Sequence, residues 1–434
     1  MEKKIYDMAG IGIGPFNLGL AALIEPLEDL EAIFFEQNTE FQWHPGMLLE
    51  GTVLNSSFLA DLVTFADPTS PYTVLNYLHK HNRLFQFYFY KKMNIPRREY
   101  NSYTRWVASQ LPSCNFGSRV IDVIDHPEKG CYEIVIQNVE NKERNVIFAK
   151  HIVIGTGSTP LFPPGIEEKL NDDIIHTSSY AYKQNDLKDS ESITIVGSGQ
   201  SAAEIFLDLL QDQKYFDYSL AWMTRSNQFF QSESAKLARE VFSPDYVRYF
   251  RGLDFEKRMD ALPALDQGRK GIEQDTLINI YDLLYHRSVE REDPKVILQA
   301  MTELQDVEQK GKNYEISFIQ WQSGENFRHH SNKVVLATGY KPGVPEWLNK
   351  FKPLIEWENE SHYKVNEKYR LEFKKHRPHR IYMLTGLDHS HATAATNLAL
   401  SVLRNQTIIN DISGHDVYPL QKDVIFQQFQ PKKD

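Results

Sequence analysis

The fold of this chain is decided at its start, by the stretch Lys4-Ile5-Tyr6-Asp7-Met8-Ala9-Gly10-Ile11-Gly12-Ile13-Gly14-Pro15-Phe16-Asn17-Leu18. A short apolar run ends there in closely spaced glycines and opens into a segment that suits a helix. Glycine permits the tight turn and lets the backbone approach a pyrophosphate, which the N–H groups and positive dipole end of the helix then bind. We therefore expect a strand, a loop and a helix that hold a dinucleotide.

A second loop of the same kind follows later, in Ser192-Ile193-Thr194-Ile195-Val196-Gly197-Ser198-Gly199-Gln200-Ser201-Ala202-Ala203-Glu204. One such match alone is a weak signal, but two in one chain predict two bound dinucleotides. The commonest reason to hold two is electron transfer from a nicotinamide to a flavin. The residues expected to contact the two cofactors are Gly12, Gly14, Pro15, Phe16, Asn17 and Leu18 in the first loop, and Gly197, Gly199, Gln200 and Ser201 in the second.

The strand that follows each loop ends in a charged residue. Glu36 ends the predicted strand Glu31–Glu36, where an acid accepts hydrogen bonds from the adenosine ribose hydroxyls. Arg225 follows the predicted strand Ser219–Thr224, where a guanidinium suits the 2′-phosphate of NADP. The alternatives are a solvated strand-end carboxylate for Glu36 and a plain surface arginine for Arg225.

The order of elements predicts an α/β protein with two Rossmann-like dinucleotide-binding domains, for FAD and NADPH, and a small helical substrate lobe. Buried strands at 151–158 and 333–340 are expected where the chain leaves and re-enters the first domain. The FAD-binding domain would then span 1–165 plus 330–434, and the NADPH-binding domain 166–329, with the lobe at about 230–300. The segments 132–138 and 314–321 are expected to form antiparallel ribbons.

The bulk composition excludes several classes of protein. With 434 residues the chain is long enough for two or three domains, and its net charge of −10 argues against nucleic-acid binding. No apolar run reaches the length of a membrane span, and Met1-Glu2-Lys3-Lys4 leads directly into the first strand, so we expect neither a membrane segment nor a secretory signal. Two cysteines, Cys114 and Cys131, give neither a redox pair nor a zinc cluster. We expect a cytoplasmic protein without a metal.

The chain resembles a known family along nearly its whole length. The matching motifs are Gly12-Ile13-Gly14-Pro15-Phe16-Asn17-Leu18, Trp43-His44-Pro45-Gly46-Met47, Phe58-Leu59 with Asp61-Leu62-Val63, Asp67-Pro68-Thr69-Ser70-Pro71-Tyr72, Asn76-Tyr77-Leu78, Arg97-Arg98-Glu99-Tyr100, Gly197-Ser198-Gly199-Gln200-Ser201-Ala202, Phe242-Ser243-Pro244-Asp245-Tyr246 and Ala337-Thr338-Gly339-Tyr340. Together they are similar to the flavin-dependent N-hydroxylating monooxygenases of siderophore biosynthesis, the lysine and ornithine N-monooxygenases.

The resemblance implies a reaction cycle and further site residues. NADPH reduces FAD, the reduced flavin and O2 form a C4a-hydroperoxide, and a neutral small primary amine takes up the distal oxygen to become a hydroxylamine. The family places Trp43 and His44 over the isoalloxazine, Asn55 near its reactive carbon, and Thr338, Gly339 and Tyr340 among the cofactor contacts. His44 and Asn55 are thus the candidate catalytic residues. The family also implies a homo-oligomer, often a tetramer.

Two departures from the family concern the substrate. Amino-acid-hydroxylating members hold the substrate carboxylate with a lysine, where this chain has Ala60, and with a serine near Asn397, where this chain has Ala399. A buried carboxylate without such partners costs several kcal/mol. We therefore expect a decarboxylated amine such as histamine, putrescine or cadaverine, with L-lysine or L-ornithine as the alternative if Arg269 or Lys270 compensates.

Further features leave alternatives open. Asn55 stands where the family usually has glutamine, which either enlarges the pocket or is neutral drift. His389 and His391 lack an acid or cysteine at ligand spacing, so we expect no metal there. A disulfide reductase would need a cysteine pair; a Baeyer–Villiger or other class B flavin monooxygenase and a flavin-binding redox sensor are the remaining alternatives.

Overall fold

The computed structural model describes residues 4–289 and 295–431. Its helices are α1 (Pro15–Ile24), α2 (Val74–Lys80), α3 (Leu84–Tyr90), α4 (Arg97–Ala108), α5 (Tyr180–Lys188), α6 (Gln200–Asp212), α7 (Pro244–Arg251), α8 (Phe255–Arg269), α9 (Gln274–Val289), α10 (Asp388–His391) and α11 (Leu398–Ser413). Among these described helices, none combines the length and the apolar character needed to cross a membrane.

The strands are β1 (Ile5–Ile11), β2 (Ala32–Phe35), β3 (Val53–Ser57), β4 (Asn94–Pro96), β5 (Cys114–Asn115), β6 (Ser118–His126), β7 (Cys131–Asn138), β8 (Arg144–Ile154), β9 (Ser158–Pro160), β10 (Ile174–His176), β11 (Ser192–Val196), β12 (Ser219–Met223), β13 (Val296–Gln299), β14 (Thr302–Lys310), β15 (Asn313–Gln320), β16 (Glu325–Ser331), β17 (Lys333–Leu336), β18 (Tyr340–Pro342) and β19 (Arg380–Met383). They form mixed and parallel sheets with helices packed on them, which confirms the α/β class.

The first sheet carries the N-terminal glycine loop. Its strand order is β5-β2-β1-β8-β7-β6, with β19 also paired to β8. Strand β1 runs parallel to β2 and β8, and its Gly10 pairs with Phe34 on one side and Val153 on the other. The antiparallel pairing of β7 with its neighbours confirms the ribbon expected at 132–138.

The second sheet carries the other glycine loop. Its order is β10-β17-β11-β12-β13, and all its strands are parallel. Strand β17 belongs to this sheet, although the sequence placed 333–340 at the re-entry into the first domain; the strand that returns to the first sheet is β19. The domain boundaries themselves remain a prediction.

The segment 230–300 is only partly a separate helical lobe. Strand β13 pairs in parallel with β12. Because two parallel strands need a crossover connection, usually a helix, α9 serves as that connection. Helix α9 packs on α6, where Arg287 Nη2 donates to the carbonyl of Leu210 at 2.6 Å. The remaining helices, α7 and α8, pack instead on α10 and the turn 392–395.

Two extended crossovers connect the sheets. Strands β9 and β18 pair antiparallel, with Tyr340 opposite Pro160, so that the outgoing and returning chains run side by side. A separate antiparallel sheet, β14-β15-β16, confirms the ribbon expected at 314–321. The crossovers place the loop after β8 next to the segment 338–340, which the sequence had assigned to the cofactor contacts.

Candidate active site

The first glycine loop has the geometry that a pyrophosphate needs. Gly12 adopts φ +85°, and a Cβ there would lie 2.5 Å from the carbonyl oxygen of Gly155, so only glycine fits. A Cβ on Gly14 would meet no described protein atom within 4 Å. Gly14 is the N-cap of α1 and has no side chain to occupy the first N–H groups. The open space above Gly14 therefore fits a phosphate group.

Asn17 explains how this loop does without the usual third glycine. Its side chain is fully buried, and Nδ2 donates to the carbonyls of Gly12 at 2.7 Å, Ile11 at 3.3 Å and Val153 at 3.5 Å. The amide thus joins the start of α1 to the ends of β1 and β8. These hydrogen bonds fix the position of the loop relative to the two strands.

Glu36 lies beside the loop, as expected. Its Oε2 accepts a hydrogen bond from the N–H of Ile13 at 2.9 Å, and its Oε1 accepts one from the N–H of Asn38 at 2.9 Å. These two bonds fix the carboxylate at the end of β2. A carboxylate oxygen can accept more than one hydrogen bond, so it can still receive a ribose hydroxyl.

The second glycine loop follows the same plan. Gly197 adopts φ +151° and donates its N–H to the carbonyl of Met223 at 3.0 Å, which ties the loop to β12. Gly199 is the N-cap of α6. Gln200 accepts the N–H of Glu273 at 2.7 Å through Oε1. This loop is therefore supported from α9 as well as from the sheet.

Arg225 lies just past the end of β12, in the expected place. Its side chain is 77% exposed, and its guanidinium is 3.4 Å from a carboxylate oxygen of Glu303. Its backbone carbonyl accepts a hydrogen bond from Trp321 Nε1 at 2.7 Å. The backbone is thus fixed, while the side chain can still turn towards a ligand.

Three aromatic side chains, Trp43, His44 and Tyr340, lie in contact where the segment before β3 meets the crossover strand β18. The His44 ring lies edge-on to Trp43 at 4.9 Å and to Tyr340 at 5.8 Å. His44 keeps a solvent-facing surface, but the surrounding protein atoms, together with the positive charge of Arg97, lower the pKa of its imidazole to about 4. The ring is therefore neutral at ordinary pH. Thr338 and Gly339 hold the crossover through hydrogen bonds with Leu161.

An ion pair that the sequence did not reveal joins α4 to α6, the helix that begins at the second glycine loop. Arg97, at the start of α4, donates through Nη2 to Glu204 of α6 at 2.7 Å, and both side chains are largely buried. Arg97 also donates through Nε to the carbonyl of Val53, in β3. Burial raises the pKa of Glu204, and Arg97 opposes that shift. Arg97 belongs to a matching motif, but nothing in the sequence indicated its partner.

Two substrate candidates, Asn55 on β3 and Ala60 just after it, have different surroundings. Asn55 is exposed on this short strand, within the irregular pairing between β3 and β4. Ala60 is 6% exposed in the turn that follows, where its N–H donates to the carbonyl of Ser57 at 2.8 Å. A lysine at this position would have to extend its ammonium out of a buried turn.

Asn397 and Ala399 begin the last helix. The Asn397 side chain is the N-cap of α11, and its Oδ1 accepts the N–H of Leu400 at 3.0 Å. Ala399 is half-buried in the first turn. The side-chain oxygen of Asn397 therefore has a structural role, and its amide nitrogen is the atom left to meet a ligand.

Arg269 and Lys270 are already neutralised by carboxylates. Arg269 is 10% exposed; it pairs with Asp388 and, at 2.5 Å, with Asp266. Burial alone would lower the pKa of Arg269, but these two carboxylates outweigh burial and raise it. Lys270 pairs with Asp266 at 2.5 Å. Arg269 is therefore not a spare cation for a substrate carboxylate, whereas Lys270 keeps an exposed ammonium whose ion pair is worth only about 0–1 kcal/mol.

The two histidines near the C-terminus have protein partners. A ring nitrogen of His389, Nε2, lies 2.9 Å from the carbonyl of Tyr363. His391 is fully buried and accepts a hydrogen bond from Arg251 through Nε2 at 3.3 Å. Burial, with Arg251 adding to the effect, lowers the pKa of His391 well below its usual value.

A cavity of about 520 Å³ lies between the segment 230–242 and α8. Apolar side chains dominate its walls, and of the described residues that line it Glu233 alone is charged. Thr393, close to the start of α11, donates to the carbonyl of Val241 in this wall at 2.7 Å. The cavity therefore adjoins the turn 392–395, which precedes α11.

Comparison with known proteins identifies the family. The family described as L-lysine 6-monooxygenase/L-ornithine 5-monooxygenase matches residues 4–342. The chain belongs to this family of siderophore-pathway flavin N-monooxygenases, and it is an oxidoreductase. The resemblance seen in the sequence is thereby confirmed.

Individual relatives cover nearly the whole chain. A putrescine N-hydroxylase of Shewanella oneidensis is 36% identical over 99% of this chain and 85% of its own length. A putrescine N-hydroxylase of Acinetobacter baumannii is 37% identical over 99% and 95%. Among solved structures, FAD-bound DfoA, the cadaverine monooxygenase of desferrioxamine biosynthesis from Erwinia amylovora, superposes with a TM-score of 0.95 at 34% identity, covering 100% of both chains.

Proposed function

We propose that the protein uses FAD and NADPH to hydroxylate the nitrogen of a small primary amine that has no carboxylate, within siderophore biosynthesis. One observation carries the choice of substrate: at the family's carboxylate-binding position the chain has a buried alanine, Ala60. Of the two cations suggested as substitutes, the buried Arg269 is held by two acids, and the exposed Lys270 is paired with one of them. A carboxylate placed there would be desolvated without a partner, which costs several kcal/mol.

The two sheets would act as two Rossmann-like units. The first fits FAD, because its loop leaves open space over Gly14 and places Glu36 beside it. The second fits NADPH, because Arg225 extends from the adjacent strand end. FAD bound at the first loop supplies the redox chemistry and the activation of O2, as flavin cofactors do. The FAD-bound state of the related cadaverine monooxygenase supports the use of FAD.

The protein's own residues would position the reactants and keep the amine uncharged. Trp43, His44 and Tyr340 form one wall, and His44 is neutral, so it adds no positive charge beside the amine. Asn55 offers an amide for a hydrogen bond to the reacting nitrogen. An amine nitrogen attacks only without its extra proton, and apolar surroundings favour that neutral form.

The names of the relatives favour a diamine over histamine. They are two putrescine N-hydroxylases and one cadaverine monooxygenase. The cavity beside α8 fits such a substrate, because Glu233 can pair with a second ammonium group while the apolar walls hold the methylenes. L-Lysine and L-ornithine, named by the family description, would need a cation for their carboxylate.

A charge placed at residue 60 tests the proposal. Ala60→Lys should lower kcat/KM for putrescine and cadaverine by about tenfold or more, because it sets a like charge beside a cationic substrate. Ala60→Met, of similar length and without charge, is the matched control and should lose much less. Equal losses in both variants would show that the effect is steric, and a gain in diamine turnover by Ala60→Lys would contradict the proposal.

A further inference from the structure

Residues 423–430, which we call the strap, lie along α7 as irregular chain. Asp245, in the first turn of α7, accepts the N–H groups of Asp423 at 3.0 Å and of Val424 at 3.1 Å. Asp423 adopts φ +56°, and a turn of this kind aims two successive N–H groups at one anion. The first half of the strap is therefore fixed to α7 through its backbone.

The second half of the strap is fixed to the 3₁₀ helix Ala238–Val241. Glu240 in this helix accepts the N–H groups of Phe426 at 3.1 Å and of Gln427 at 2.9 Å. The N–H of Gln427 lowers the pKa of Glu240, so this carboxylate is charged near neutral pH and accepts strong hydrogen bonds. The side-chain amide of Gln427 also donates to the carbonyl of Leu237. The strap thus holds the segment that forms one wall of the cavity beside α8.

Phe429 supports the same wall with its ring. The ring lies edge-on to Tyr246 at 4.8 Å and is stacked with Tyr249 at 5.8 Å. Val241 and Leu265, which line the cavity, pack against the same buried apolar cluster as Phe429. Phe429 therefore belongs to the layer of side chains that backs the cavity.

The two parts of this wall are held in different ways. Residues 230–233 are joined to 268–272 by backbone hydrogen bonds of 2.8 Å. Of the described residues outside 235–247, Thr393 and the strap supply the hydrogen bonds to 237–242. A segment held by few hydrogen bonds opens more readily than one paired along its backbone. The position of 237–242 therefore depends on the strap.

We propose that the strap is a specificity element of the amine site, which limits the length of the amine by holding 237–242 against the cavity. The inference rests on the proposed function, which places a diamine in this cavity. Glu233, the acid for the distal ammonium, stands on the part of the wall that the backbone fixes. Val241 and Phe242 stand on the part that the strap holds. A wall displaced outward would contact a short diamine poorly and admit a longer amine.

Hydrogen exchange on the full chain tests whether the strap holds the wall. Phe429→Ala should speed the exchange of backbone amides in 237–242 by about tenfold or more and leave 230–233 unchanged. Phe426→Ala is the matched control, because it removes a 93% exposed ring from the same strap and keeps the backbone bonds. It should exchange like the wild type. Unchanged exchange in Phe429→Ala would overturn the proposal.

Amine kinetics test whether the wall sets the specificity. Phe429→Ala should raise the KM for cadaverine about tenfold and keep the kcat for hydroxylamine formation within about twofold, because Phe429 acts on binding through the wall. The kcat/KM for spermidine, a longer amine, should rise relative to that for cadaverine. Phe429→Tyr keeps the ring and should restore the wild-type KM. Glu240→Gln keeps the shape but loses the charge, and it should change the KM in the same direction by less.

The two assays distinguish failure of the strap from failure of the proposed function. Faster exchange at 237–242 with unchanged KM and unchanged amine preference would overturn the inference, since the wall would then move without affecting the amine. The same rise in KM for Phe426→Ala would also overturn it, because the exposed ring does not reach the wall. A wild type that forms no hydroxylamine from any amine would overturn the proposed function, and faster exchange in Phe429→Ala would still show that the strap holds the wall.

Discussion

At the first glycine loop the neighbouring strand β2 leads into an acid, whereas at the second loop strand β12 leads into a base. Glu36 is fixed against the first loop by the N–H of Ile13, and its position depends on the backbone. Arg225 is 77% exposed and paired with Glu303, so its position depends on a mobile side chain. Both loops begin a helix with a glycine N-cap, which leaves the first N–H groups open.

The difference shows that the loop and the strand end have separate tasks. A glycine loop before a helix binds any pyrophosphate, because it offers only N–H groups and a dipole. The residue at the next strand end meets the adenosine ribose and distinguishes a hydroxyl from a phosphate. The same backbone plan can therefore hold FAD in one sheet and NADPH in the other.

The largest effect is expected at the loop itself. Gly14→Val should abolish FAD binding, since its side chain would fill the open space over the loop, and the protein should purify colourless and inactive. The matched variant Gly199→Val should keep FAD and lose NADPH binding. A yellow, active Gly14→Val protein would mean that the first loop does not hold the flavin.

A smaller effect is expected at the strand end. Arg225→Ala should raise the KM for NADPH about 10- to 100-fold and leave NADH nearly unaffected, because one phosphate ion pair is worth about 1.5–3 kcal/mol. Arg225→Lys keeps the charge and should lose less. Equal changes for the two nucleotides, measured by steady-state oxidation, would show that Arg225 does not contact the 2′-phosphate.

Asn17 should affect stability more than chemistry. Asn17→Gly supplies the usual third glycine but removes the donor shared by three backbone carbonyls, two of them in buried hydrogen bonds, which should cost about 1–3 kcal/mol in the free energy of unfolding. Asn17→Asp has nearly the same shape but cannot donate, so it should be at least as unstable. A thermal unfolding midpoint unchanged in Asn17→Gly would contradict the bracing role.

The smallest effect is expected from the partner of Arg225. Glu303→Gln removes an exposed ion pair worth about 0–1 kcal/mol, which frees Arg225 for the nucleotide. The KM for NADPH should fall by no more than about fivefold. A rise in this KM would mean that Glu303 orients Arg225 for binding, so the ion pair would assist rather than compete.

Local patterns were readable from the sequence, and distant contacts were not. The glycine loops, Glu36 and Arg225 follow from a strand and its immediate successor, and the structure has them where expected. Strand β13 was missed because four residues among helices give too short a pattern. Asp266 precedes Arg269 and Lys270 at helical spacing, but their pairing was not considered, and Asp388 lies too far along the chain to be inferred. The pairing of Arg97 with Glu204 depends on how the two sheets meet.

The central claim, that the substrate amine lacks a carboxylate, is tested most directly by measuring hydroxylamine formation for a panel of amines at saturating NADPH. Putrescine, cadaverine or histamine should exceed L-lysine and L-ornithine in kcat/KM by about a hundredfold or more, since an unpaired desolvated carboxylate costs roughly 3–5 kcal/mol. Counting hydroxylamine rather than NADPH consumed excludes cofactor oxidation that transfers no oxygen to the amine. A higher kcat/KM for L-lysine or L-ornithine than for each of the three decarboxylated amines would contradict the account.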